Sequence, residues 1–354
     1  MGEKILMKGN EALAEAAILA GCRHFFGYPI TPQTELAAYM AKRMPKLGGT
    51  FLQAESEVAA INMVLGAASA GVRTMTSSSS PGVSLKSEGV SYLAGSDLPC
   101  LIINVQRGGP GLGGIQPSQA DYWQATKALG HGDFQIFVFA PSTVQEMVDL
   151  VNQAFDLADE YRMPAMILAD GMLGQMMEPV EIPEVSELKL KDKPWATNGH
   201  KNSREHNIIN SLYMQPEDLE QTIRDRFARY DDAKAKHQVF ESYLTEDADI
   251  VVVAYGASSR ISRSAVEQAR ELGIKAGLFR PITLWPFPND ELYKLAGSAK
   301  KFLAVEMSMG QMVDDVRLAV NGRKPVEFFG RTGGVIPTPA EVLEQIKKLA
   351  GGDR

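Results

Sequence analysis

Cysteine is nearly absent: Cys22 and Cys100 are the only two in 354 residues, far apart and in no CxxC pair. That count excludes a disulfide framework. Histidine is scarce as well, with His24, His131, His200, His206 and His237 forming no cluster and no helical i, i+4 pair, so a catalytic metal has no support in the sequence. No apolar run, "MPAMILA" included, approaches the ~20 residues that span a bilayer, and the N-terminus lacks signal-peptide architecture. A cytoplasmic location is therefore expected. Positive charge is in deficit, 36 Lys plus Arg against 43 Asp plus Glu for a net charge of −7, so nothing concentrates basic residues for nucleic acid.

What is present is an ordinary globular composition, 45% hydrophobic and 22% charged, at a length that predicts about two domains. Up to about residue 175, β-rich runs (24–27, 50–53, 72–76, 100–105, 134–139, 165–169) alternate with Ala-rich helical stretches. "NEALAEAAILAG" reads as a helix capped by Asn10, and "SEVAAINMVLGAASAG" as one capped by Ser56 and ended by Gly71. Repeated strand, helix, strand predicts a parallel α/β sheet, whose ligands sit at the carboxyl ends of the strands. From 178 to 247 the texture turns to proline and mixed charge with a helix expected from Pro216 to about Leu244. A second α/β unit then opens with "DADIVVVAYG" and runs through a helix from Ser258, "RPITLWPFP", "KKFLAVE" and a last helix near 340–349.

Each strand end in the first unit is followed by an unusual loop: "YPITP", "AESE", "SSSSPG", "QRGGPGLGG" and "DGMLGQ". In "GYPITPQTE" two prolines hold Tyr28 and Thr31 in extended geometry, either as a stiff connection to the next helix or to present the Thr31 hydroxyl at a fixed point. Glu57 follows the Ser56 cap. It either serves the helix dipole, worth ~0.3–1 kcal/mol, or, the following helix being apolar nearly all round, introduces a fully buried segment as a partly desolvated carboxylate able to trade a proton with a ligand. Arg107 stands beside a loop of five glycines, suited either to solvent or to a bidentate grip on a carboxylate. The same loop satisfies G-x-G-x-x-G, but Pro117 falls where a phosphate-binding helix should be running. "TSSSSPG", ahead of a helix expected near Ser84, could bind an anion or turn the chain. Asp170, Gly171 and Asn198 imitate a magnesium diphosphate motif whose βα unit Pro179, Pro183 and Pro194 interrupt.

Taken in order, "GYPITPQTE", "QAESEVAAINMVLGAASAG", "SSSSPGVSLKSEGVSYLAGSDLPC", "NVQRGGPG" and "FRPITLWPFP" resemble the α subunit of the 2-oxoacid:ferredoxin oxidoreductases, over nearly the whole chain. Within that family the likeness leans to the 2-oxoisovalerate (3-methyl-2-oxobutanoate) branch, with the 2-oxoglutarate branch as neighbour. The resemblance implies a thiamine diphosphate pyrimidine-binding domain (1–180), a linker with a helical arm (181–246) and a smaller transketolase C-terminal-like α/β domain (247–354). It implies that Glu57 hydrogen-bonds the cofactor's aminopyrimidine ring nitrogen, that Thr31 and Arg107 hold the substrate's carboxylate and carbonyl, and that Pro29, Ile30, Thr31 and Ser80 line the cofactor. No residue of this chain is expected to bind metal.

The reaction so implied converts a 2-oxoacid and coenzyme A to acyl-CoA and carbon dioxide with reduction of ferredoxin. Removing electrons singly calls for iron–sulfur clusters, each usually held by about four cysteines, which two distant cysteines cannot supply. Partner chains are therefore expected: a thiamine diphosphate-binding β subunit that completes the cofactor site with Mg2+, a γ subunit and a cysteine-rich ferredoxin-like subunit, in an obligate hetero-oligomer.

Overall fold

Short runs rich in aliphatic and aromatic residues form most of the strands, and Ala-rich stretches between them form many of the covering helices. The computed structural model describes residues 4–127, 129–182 and 190–351. The first part comprises β1 (Lys4–Lys8), α1 (Gly9–Leu19), β2 (His24–Gly27), α2 (Thr34–Arg43), β3 (Thr50–Gln53), α3 (Glu57–Ser69), β4 (Thr74–Ser78), α4 (Ser80–Gly95), β5 (Leu101–Gln106), α5 (Tyr122–Thr126), β6 (Phe137–Phe139), α6 (Val144–Tyr161), β7 (Ala165–Asp170), α7 (Gly171–Gln175) and β8 (Met177–Glu181). There follow α8 (Pro216–Lys236), β9 (Phe240–Tyr243), β10 (Ile250–Val253), α9 (Gly256–Glu271), β11 (Ala276–Pro281), β12 (Thr283–Trp285), α10 (Asn289–Leu295), β13 (Lys301–Glu306), α11 (Met312–Val320), β14 (Val326–Gly330) and α12 (Pro339–Ala350).

The main sheet has the order β12-β6-β7-β5-β4-β2-β3, parallel throughout except for β12. Its central strands β4, β5 and β7 are buried along their whole length, as expected of a sheet covered on both faces. The second sheet, β14-β13-β10-β11-β9, is parallel apart from β9. β1 and β8 form a small antiparallel pair.

Several local expectations are corrected. Asn10 lies inside α1 rather than capping it, because its amide is used elsewhere, donating to the Pro32 carbonyl at 2.8 Å and to Glu35 at 3.0 Å. The helix expected near Ser84 starts at Ser80, with Pro81 in its first turn, a position where the missing N–H costs nothing. The strand expected over 134–139 is ordered as a strand only from Phe137. α8 stops at Lys236 instead of running to Leu244; beyond it β9 pairs with β11 and Glu241 meets Arg280.

Two strands cross the expected divisions of the chain. β9 lies within 181–246 yet belongs to the second sheet, and β12 lies within 247–354 yet closes the first, with Thr283 opposite Phe139. Pro183 and the outermost residues of both ends lie outside the described residues.

The two sheets are fastened at Gln119, which is fully buried. Its amide nitrogen donates to the Tyr255 carbonyl at 2.8 Å, while its carbonyl accepts from Ser258 Oγ at 2.6 Å and the Met307 amide at 3.0 Å. A second tie runs from Tyr122 Oη and Lys127 Nζ to Asp315 at 2.5 and 2.6 Å.

Candidate functional site

The unusual loops gather at the carboxyl edge of the parallel strands, where the sheet topology brings β2, β4 and β5 side by side. The loop after β2 is pinned through the Pro32 carbonyl, which accepts from Asn10 Nδ2 and, at 3.2 Å, from Gln175 Nε2. That leaves Tyr28, Pro29 and Thr31 exposed at the edge and Ile30 half-buried. Arg107, at the end of β5, donates from Nη1 to the Thr31 carbonyl at 3.0 Å and from Nη2 to the Leu112 carbonyl at 3.2 Å. The residue is only 8% exposed, its Nε has no hydrogen bond, and no acid of the described residues lies within ion-pair distance. A nearly buried cation held directly only by neutral carbonyls, with Asp121 acting on it from beyond ion-pair distance, suits an anionic ligand.

Glu57 begins α3 with Ser56 as cap, the serine hydroxyl accepting from the Ala59 amide at 3.2 Å. Its neighbour Glu55 is exposed, whereas Glu57 is 6% exposed, which separates the two carboxylates of "AESE". The Glu57 carboxylate makes no hydrogen bond to another described residue. Gly82, in the first turn of α4, leaves it room: a Cβ there would stand 2.5 Å from Glu57 Oε1 and 2.1 Å from Ser78 Oγ. A near-buried acid without a protein donor fits a ligand that brings its own ring nitrogen.

The same turn of α4 joins Glu57 to Arg107. Ser80, at φ +23°, donates its hydroxyl to Asp121 Oδ2 at 2.6 Å and accepts from the Arg107 amide at 3.0 Å. Asn104 Nδ2 also donates to Asp121, at 3.0 Å, and Asn104 Oδ1 accepts from the Ser80 amide at 3.2 Å. Burial pushes the Asp121 carboxyl up, against the opposing pull of Ser80, Asn104 and Arg107. Ser80, expected as a cofactor residue, thus has its hydroxyl bound within the protein, where it sets the turn that carries Gly82.

Sequence reasoning reached Glu57, Thr31, Arg107 and Ser80 but missed Asn104, Asp121, Gly82 and Lys86. Asn104, in β5, and Asp121 meet although they stand 17 positions apart in the chain, which no local pattern reveals. Lys86 was legible: Gly82, Val83, Lys86, Gly89 and Val90 form the inward stripe of α4, and a lysine on such a stripe is an anomaly.

The glycine loop after β5 is no dinucleotide site. It folds back on itself, Gly114 donating to the Gly108 carbonyl at 2.8 Å and Arg107 bridging to Pro117, and no helix starts before Tyr122. Asp170 caps α7 through the Met172 and Leu173 amides, while Asn198 accepts from Arg204. α3 was expected to be buried all round; instead Val58 is 44% exposed beside an exposed Asn62.

Comparison with known proteins gives the same fold and site region a family. The solved structure of 2-oxoglutarate:ferredoxin oxidoreductase from Magnetococcus marinus, with 2-oxoglutarate, coenzyme A and succinyl-CoA bound, superposes with a TM-score of 0.88 at 27% identity, covering 98% of this chain and 65% of that one. This chain therefore spans just under two thirds of that protein's chain. The ketoisovalerate oxidoreductase subunit VorB of Methanothermobacter thermautotrophicus is 48% identical over 98% of both chains, and the 2-oxoglutarate synthase subunit KorA of Methanothermobacter marburgensis is 38% identical over 98% of this chain and 99% of its own. Residues 248–342 match the pyruvate:ferredoxin oxidoreductase core domain II family, and residues 15–242 match the thiamine diphosphate-binding family of pyruvate flavodoxin/ferredoxin oxidoreductases. With those matches covering most of its length, the chain belongs to the 2-oxoacid:ferredoxin oxidoreductase subunits.

Proposed function

We propose that this chain supplies the pyrimidine-side half of a thiamine diphosphate site in an enzyme that oxidatively decarboxylates a 2-oxoacid to acyl-CoA and carbon dioxide, passing single electrons toward ferredoxin. The observation that carries the reading is the pairing of a near-buried acid without a protein donor, Glu57, with a near-buried cation without an ion pair, Arg107, joined through one helical turn. Thiamine diphosphate, when bound, supplies a thiazolium carbon able to attack a carbonyl and an aminopyrimidine that removes that carbon's proton. Glu57 shares a proton with the pyrimidine ring nitrogen in a water-poor setting, where a charge-assisted hydrogen bond is strong. The backbone of Pro29, Ile30 and Thr31 lines the cofactor, the Thr31 hydroxyl and the Arg107 guanidinium orient the 2-oxoacid's carboxylate and carbonyl, and Ser80 keeps the α4 turn in place.

The preferred substrate under this proposal is 2-oxoisovalerate, the ketoacid named for the relative at 48% identity. The two cysteines are buried thiols pushed up to about 12 by burial, and neither is placed to hold a cluster, so the electron carriers belong to a cysteine-rich partner. Val58 on α3, with Leu85 on the packed α4, offers exposed apolar surface on the helices that carry Glu57 and Gly82. We assign it to the β subunit that holds the diphosphate and its Mg2+, with γ and ferredoxin-like subunits completing the complex.

The test is reconstitution with these partners and steady-state comparison of 2-oxoisovalerate, 2-oxoglutarate and pyruvate. Glu57→Gln should abolish turnover at an unchanged melting temperature, and Arg107→Ala should chiefly raise KM for the 2-oxoacid. Full activity of the isolated chain, or of Glu57→Gln, overturns the proposal.

A further inference from the structure

The chemistry just described leaves Lys86 without a task. Its side chain is fully buried in α4, its Nζ has no hydrogen bond, and no carboxylate of the described residues lies within 4.0 Å. A buried lysine without a partner is a liability for folding alone, because desolvating an ammonium is expensive.

Helix register shows what it faces. Gly82, Lys86 and Gly89 fall on one side of α4, and that side meets α3: a Cβ at Gly82 would lie 2.5 Å from Glu57 Oε1, and one at Gly89 would lie 2.5 Å from Ile61 Cγ2. Lys86 stands between those contacts, and long helical side chains lean toward the preceding, N-terminal turn, here the Gly82 turn against Glu57. The surroundings hold few other charges. Glu57 is the one titratable residue of α3, and β4 and β5 have none. On α4 itself Glu88 and Tyr92 are exposed and bonded to each other. Arg107 and Asp121 meet Ser80 at the helix start, while His131 and Arg226 contact Ser91 and Gly95 near its end.

We propose that Lys86 is a positioning residue for Glu57: its ammonium keeps that side chain a carboxylate, so that the proton shared with the cofactor's pyrimidine resides on the ring nitrogen. The inference rests on the thiamine diphosphate reading above. Burial lowers the lysine to about 8, against the raising field of Glu57, so the influence is present at pH 7 and fades as the pH passes 8.

The experiment uses the reconstituted complex with thiamine diphosphate and no 2-oxoacid, from pH 6 to 9.5, on the wild type, Lys86→Met, Lys86→Gln, Glu57→Gln and the Glu57→Gln/Lys86→Met double variant. Two quantities are read: proton uptake on cofactor binding, from calorimetry in buffers of different ionisation enthalpy, and the rate of exchange of the cofactor's C2 proton for deuterium. Proton uptake on cofactor binding at pH 7 should be distinctly smaller in Lys86→Met than in the wild type. Exchange at pH 7 should fall about tenfold in Lys86→Met, and a fall in rate near pH 8 should appear in the wild type alone. The double variant should be no slower than Glu57→Gln. Wild-type behaviour of both lysine variants alongside a slow Glu57→Gln overturns the role of Lys86 and spares the function, whereas wild-type exchange in Glu57→Gln overturns the function itself. Should neither lysine variant assemble, a wild-type profile with no step near pH 8 overturns the proposal, and a step that Glu57→Gln lacks sustains it.

Discussion

Replacing Gly82 by alanine tests whether the placement of Glu57, rather than its mere presence, sets the rate. The added Cβ would stand 2.1 Å from Ser78 Oγ, 2.5 Å from Glu57 Oε1 and 3.2 Å from Glu57 Cδ. Ordinary contact begins near ~3.5 Å, so the carboxylate must retreat by about 1 Å. Overpacking of this kind costs ~1–3 kcal/mol, and alanine returns up to ~1 kcal/mol as the better helix former. The net loss of stability should be about 1 kcal/mol. Displacing a reacting group by about 1 Å costs on the order of a hundredfold in rate, or ~2.7 kcal/mol of barrier. The Gly82→Ala complex should therefore lose far more turnover than stability. Ser78→Ala added to it removes the tightest clash at little cost, since the Ser78 hydroxyl has no hydrogen bond. The double variant should recover its melting temperature but not its kcat. Steady-state kinetics of the reconstituted complex beside thermal unfolding decide the matter: near-native kcat in Gly82→Ala, or rescue of kcat by Ser78→Ala, refutes the reasoning.

Other consequences follow from buried groups. Gln119→Ala strands the Ser258 hydroxyl and the Met307 amide between the sheets, and at ~1–3 kcal/mol for each unsatisfied group should cost about 2 kcal/mol or more in denaturant unfolding. Asp170 is pushed up to about 6, chiefly by burial, from 3.8. Its folded form thus holds a proton more tightly than its unfolded form, and its contribution to stability, ~3 kcal/mol at most, is fully present below pH 4 and lost as pH rises through 6. Asp170→Asn should remove that slope from the stability profile between pH 4 and 6; an unchanged slope refutes it. Cys22 and Cys100, buried and pushed up to about 12, should resist a water-soluble thiol reagent in the native chain at pH 8 and react only on unfolding, as mass spectrometry would show.

The strands and loops of the first unit were legible because their signals are local: short runs rich in aliphatic and aromatic residues are followed by loops of glycine, proline and serine, and Ser56 caps α3 as its position announces. The same locality misled where a side chain answers to a distant group. Asn10 looks like a cap but serves Pro32, and the stretch before Leu244 looks helical but is held as a strand by β11.

By itself the sequence determined the α/β alternation, the ordered loops on one sheet edge, and Glu57, Thr31 and Arg107 as the groups worth testing. Only the tertiary structure decided that β12 leaves its own unit to close the first sheet, that Gln119 binds the sheets together, and that Gly82 and Lys86 flank Glu57. The physical reason is range. Periodicity and capping act within a few residues along the chain, whereas the space around Glu57 is set by Gly82 of α4, and the α4 turn beside it by Asn104 and Asp121, which are near in space and remote in sequence.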